Sequence, residues 1–200
     1  MSGDADPGRR RARTLIGGVG YADLRDFSVG RSIVRRLAVE PWPGHVAVED
    51  QSHYPVDEVH RFDAAHPPFD RWILVGAVRR GRVPGSVTAY RWDGSLPDPE
   101  EIQERVAEAM TGVISLENLL VVVGALGSPP EEVCVIEIEP GVEAMGSELS
   151  PAVEAGAVEA GALVRALALA PPGEMRAPTA PLGGRTTTNG RPVRGPRGDS

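Results

Sequence analysis

Short apolar runs alternate with segments of helical spacing along this chain, and that alternation restricts the fold more than any other feature. Thr14-Leu15-Ile16-Gly17-Gly18 is a continuous run of strand length. After a Gly-rich turn, Val29, Ile33, Val34 and Leu37 recur at helical spacing, with Ser28 as expected N-cap. Pro41 and Pro43 stop that helix. The pattern then repeats. Val46-Ala47-Val48, Trp72 to Val75, Ser86 to Trp92 and Glu132 to Glu139 read as strands. Val56 to Phe62, Asp98 to Met110, Ser115 to about Gly127 and Ser150 to about Ala170 read as helices. Asp98, Ser115 and Ser150 are the expected caps, and Pro99 and Pro151 take first helical positions.

The expected fold class is α/β: a three-layer sandwich with a mainly parallel five-stranded sheet and helices on both faces. One domain over residues 13–170 suits the length of 200 residues. Residues 1–12 read as a disordered leader. Residues 171–200, dominated by Pro, Gly, Thr and Arg, read as a disordered tail.

Charge excludes some functions. Of the net −7, residues 1–13 carry +2 and residues 171–200 carry +3, which leaves −12 for the body between them. An acidic body argues against nucleic acid as a partner. Arg9-Arg10-Arg11 is followed only by a short, Gly-rich apolar stretch, too brief for an export signal. No stretch approaches a membrane span, so no membrane partner is expected and the expected location is cytoplasmic. The single cysteine, Cys134, lies in an apolar run and reads as buried and inert.

Ligands of such folds gather at the carboxyl ends of the strands. Asp26 follows the first strand and Asp50 ends the second, so two carboxylates are expected at one sheet edge. Gly18-Val19-Gly20 is not a dinucleotide fingerprint. Asp23 stands where a third glycine belongs, and the helix starts too late. Arg79-Arg80-Gly81-Arg82 reads as a solvated loop, or as a contact for an acidic partner. Ser86 and Ser115 lack the His and Asp partners of a serine hydrolase.

Four ordered segments carry a resemblance. They are Gly18-Val19-Gly20-Tyr21 with Asp26 and Gly30; Val48-Glu49-Asp50; Val78 to Val87 around Pro84-Gly85; and Ile138-Glu139-Pro140 with Leu149-Ser150-Pro151. Together they resemble the endopeptidases that mature nickel–iron hydrogenase large subunits, over about Thr14 to Leu169. The resemblance implies C-terminal processing of a nickel-loaded large-subunit precursor. The metal would be carried by that substrate, with no intrinsic cofactor. The alternative is a non-catalytic pseudo-protease that serves hydrogenase assembly as a chaperone.

The family grips nickel with an acid, an Asp and a His. Asp50 matches the family Asp. Phe27 stands at the acid position and Gly112 at the His position, and the last His of the chain is His66. Tyr21 replaces the family Asn, and Gly76 replaces an Asp. Asp26 and His53 are the candidate substitute ligands. No catalytic residue is assigned.

Overall fold

The computed structural model describes residues 11–65, 68–112, 115–174 and 177–183. Six strands form one sheet: β1 (Thr14–Val19), β2 (Val46–Asp50), β3 (Arg71–Ala77), β4 (Val87–Trp92), β5 (Glu132–Ile138) and β6 (Thr179–Ala180). Among the described residues, five α-helices accompany it: α1 (Val29–Leu37), α2 (Pro55–Ala64), α3 (Pro99–Met110), α4 (Leu116–Leu126) and α5 (Pro151–Leu169). The strand order is β2-β1-β3-β5-β4-β6. The first four in that order, β2, β1, β3 and β5, are parallel; β4 runs antiparallel to β5, and β6 pairs parallel with β4.

The expected α/β architecture is present, with six strands where five are expected. The additional strand comes from the region read as tail. Ala180 is buried, and Thr179 and Ala180 pair with Arg91 and Trp92. Two amides bind this region to the body: Gly173 donates to Glu132 at 2.7 Å and Gly183 to the Tyr90 hydroxyl at 3.1 Å. At the other end, Ala12 is already buried. Residues 1–10 and 184–200 lie outside the described residues.

Central strands β1, β3 and β5 are buried on both faces, which explains their continuous apolar sequence. Ile16, Ile73 and Ile136 face α1 and α5, meeting Ile33, Val34, Val153 and Val164. Leu15, Trp72, Leu74 and Val135 face α2 and α4, meeting Phe62, Leu116, Leu119 and Leu120. Cys134 is fully buried, and burial pushes its thiol up to about 12.

Helix ends divide into two kinds. Asp98 and Ser115 accept from the Glu101 and Asn118 amides, as capping residues do. Ser28 and Ser150 make no side-chain cap bond. Their hydroxyls serve the loops instead: Ser28 accepts from the Leu24 amide, and Ser150 donates to Asp26. At the amino-terminal edge of the sheet, buried Arg71 pairs with Glu132 at 2.6 Å. Its guanidinium also donates to the Leu167, Ala170 and Pro171 carbonyls, closing the C-terminus of α5.

Candidate functional site

The carboxyl end of the sheet begins at the Gly-rich turn. A Cβ at Gly18 would lie 2.4 Å from the Gly30 carbonyl oxygen, and one at Gly20 would lie 2.4 Å from that of Phe27. Only hydrogen fits at these positions, so the turn and α1 close directly onto β1. The Tyr21 amide donates to the Phe27 carbonyl at 3.1 Å, which ties the two backbone segments together across the turn. Asp23 and Arg25 have positive φ, 51° and 40°, in the loop that the Leu24–Gly146 bridge holds.

Asp26 is fully buried on the 3-10 turn Arg25–Ser28. Its carboxylate accepts from the amides of Gly141 at 2.9 Å, Val142 at 2.7 Å and Ser150 at 2.7 Å. The Ser150 hydroxyl adds a fourth bond at 2.9 Å. Burial alone would raise its pKa, but these donors together hold it below the ordinary value. The carboxylate is thus saturated by the loop after β5 and the start of α5. With both oxygens occupied by internal donors, Asp26 locks loops together in the structure described.

Asp50 ends β2 directly beside Gly18. Its side chain is 33% exposed and accepts from Arg31 Nε at 2.8 Å and from the Ser52 amide at 3.1 Å. Burial raises its pKa, while Ser52 and Arg31 lower it further, so it stays ionised. His53 turns to a different carboxylate. Its Nε2 lies 2.9 Å from Glu58, which is almost completely buried at the start of α2. Burial raises the Glu58 pKa against the pull of Arg61 and His53. Asp26, Asp50 and His53 therefore have three separate sets of partners. Among the described residues, no group of three or more His, Cys, Asp or Glu side chains could hold a metal ion.

Between the turn after β1 and the start of α4 lies a cleft of about 220 Å³, lined in part by Val19, Tyr21, Phe27, Val78, Leu116 and Glu117; Asp26, Asp50 and His53 do not line it. A phenyl ring cannot ligate, and Phe27 stands in this cleft with the Arg79 guanidinium 5.1 Å from its ring centre. A Cβ at Gly76 would sit 2.9 Å from the Val19 carbonyl oxygen, so a side chain there would require the strands to shift. Gly112 lies outside the cleft lining, in the exposed turn after α3, at φ +89° with open space around it.

The arginine loop is not simply solvated. Arg80 pairs with Glu117 and Glu137, both at 2.8 Å, and Arg82 pairs with Glu137 at 3.0 Å. Glu137 is fully buried and also accepts from the Tyr90 hydroxyl at 3.1 Å. Glu139 accepts the amides of Arg80 at 2.7 Å and Gly81 at 3.1 Å. Three acids from β5, the segment after it and α4 thus pin the β3–β4 loop. Only Arg79 reaches outward, at 59% exposure, in an exposed pair with Glu143. Sequence reasoning missed Glu58 and Glu137. Their partners are distant in the chain, and nothing local marks a buried acid.

No protein-family model matches the chain, and no curated protein matches it. Solved structures do. A hydrogenase 2 maturation peptidase from a Thaumarchaeota archaeon is 25% identical with a TM-score of 0.55, covering 79% of this chain and 99% of that one. The hydrogenase maturating endopeptidase HybD from Escherichia coli is 25% identical with a TM-score of 0.58, covering 77% and 90%. The nickel–iron hydrogenase maturation protease HybD from Thermococcus kodakarensis is similar in fold, at 20% identity and a TM-score of 0.51. The chain has the hydrogenase maturation endopeptidase fold over more than three quarters of its length, and its likeness to the first two extends to sequence.

Proposed function

We propose that this protein engages a hydrogenase large-subunit precursor during maturation, through the cleft at the carboxyl end of its sheet, and that it does so as a non-cleaving assembly factor. The observation that carries this reading is the donor set. Where nickel carried by the precursor would need an acid, the cleft offers Phe27. Gly112 supplies no side chain, Asp26 is saturated, and His53 is held by Glu58. The carboxylates that remain, Asp50 beside the cleft's glycine turn and Glu117 in its lining, are each paired with an arginine, Arg31 and Arg80, and make a weak grip for a divalent ion, whose recognition rests on ligand number and geometry.

A second reading, nickel-dependent processing, is favoured by one observation. Asp50 is partly exposed at the strand end and stays ionised, so its carboxylate is open to a cation on the side away from Arg31. The Asp50→Asn variant, assayed for hydrogenase maturation in cells, separates the two. The assembly reading expects nearly unchanged maturation. Loss of processing in that variant overturns it, because an amide is a poorer ligand than a carboxylate.

A further inference from the structure

The cleft has the wrong lining for a metal and the right lining for something else. At about 220 Å³ it falls below the roughly 300–1,000 Å³ of pockets that enclose whole small molecules. Its lining is aliphatic at Val19, Val78 and Leu116 and aromatic at Tyr21 and Phe27. The Phe27 backbone is tied to the turn by the Tyr21 amide bond to its carbonyl, which approaches Gly20 too closely for a Cβ there, so the ring projects from a fixed stretch of chain. At the rim, the charge of Glu117 is answered by Arg80 at 2.8 Å. Arg79 is different. It lies over Phe27 and, among the described residues, pairs with Glu143 in an exposed ion pair, a kind that adds little stability and exchanges readily.

We infer that this cleft is an anchor pocket for one apolar side chain, Leu, Met or Phe, of an extended partner segment that carries a carboxylate next to it for Arg79. The inference rests on the docking role proposed above and names what the partner must present. Small, desolvated pockets flanked by aromatic and Arg side chains are where binding energy concentrates in protein interfaces. The geometry suits a peptide side chain. Phe27 offers its ring to an apolar group, and the Arg79 guanidinium can exchange Glu143 for a carboxylate of the partner.

The test uses the full chain and capped dipeptides as probes, followed by NMR shift mapping. Acetyl-Leu-Asp-amide and acetyl-Phe-Asp-amide should give saturable shifts centred on Tyr21, Phe27 and Leu116. Acetyl-Ser-Asp-amide should bind about tenfold more weakly, since it buries no apolar side chain. Acetyl-Leu-Asn-amide should bind a few-fold more weakly, and Arg79→Gln should erase that difference. Phe27→Glu and, as a second variant, Tyr21→Ser should each weaken the Leu probe about tenfold, with folding checked by melting temperature. Equal binding of the Leu and Ser probes, shifts centred elsewhere, or no saturable shift would overturn the pocket. Probe binding together with failure to bind a large-subunit precursor would overturn the docking role and leave the pocket standing.

Discussion

Replacing Asp26 separates a structural carboxylate from a ligand. In Asp26→Ala, the amides of Gly141, Val142 and Ser150 lose their acceptor at once, and the Ser150 hydroxyl loses its own. Hydrogen bonds to charged groups contribute about 1.5–3 kcal/mol each in net terms, which for four bonds gives an upper range near 6–12 kcal/mol. The orphaned amides belong to part-buried loops that water can partly reach, so the expected cost is about 4 kcal/mol. For a domain of this size that is a fall in melting temperature of roughly 8–16 °C. Asp26→Asn should cost somewhat less, because one oxygen still accepts. The pH dependence has a definite sign. The folded pKa lies below the unfolded one, so this stabilisation is present above the unfolded value and is lost as pH falls through the folded value. Urea unfolding of wild type and both variants at pH 7 and at pH 3 reads all of this. The wild-type advantage should shrink at pH 3. A loss below about 1 kcal/mol at pH 7, or a gain in stability, would refute the structural assignment and return Asp26 to the list of ligands.

Other perturbations test the rest of the frame. Arg71→Met leaves Glu132 buried without its partner and opens the C-terminus of α5; chemical denaturation should show a loss of about 3–5 kcal/mol. Truncation after Pro171 removes β6 and the amides of Gly173 and Gly183, so calorimetry should show a lower melting temperature than the full chain. Glu58 has a raised pKa, so ionising it in the folded state opposes folding as pH rises above the unfolded value near 4.5; Glu58→Gln should gain stability relative to wild type as pH rises from 4 to 8, and a melting series across that range checks the sign.

Periodicity alone makes the core of this fold legible. The continuous apolar runs at Leu15–Ile16, Trp72–Val75 and Val133–Ile136 can only be strands covered on both faces, and they are β1, β3 and β5. The strand β6 was not legible. Two residues in a Pro- and Thr-rich stretch carry no period, and their pairing comes from β4 alone. Ser150 looked like a cap because Ser followed by Pro at a helix start is the ordinary signal. Its hydroxyl goes to Asp26, 124 positions earlier, which no local pattern reveals. The arginine loop looked solvated for the same reason. Its acids lie on β5, just beyond it, and on α4. At the candidate site, residue types can be read from the sequence but contacts cannot. Phe27 and Gly112 could be read as non-ligands from the sequence, whereas the engagement of Asp26 by three amides and of His53 by Glu58 required the fold.

The most direct test is incubation of the purified protein with a nickel-loaded hydrogenase large-subunit precursor, read by size-exclusion chromatography and intact mass. The account predicts a complex in which the precursor keeps its full mass, in wild type and in Asp50→Asn alike. A precursor that loses its C-terminal segment with wild type, and keeps it with Asp50→Asn, would contradict the account and establish this protein as an active, nickel-dependent protease.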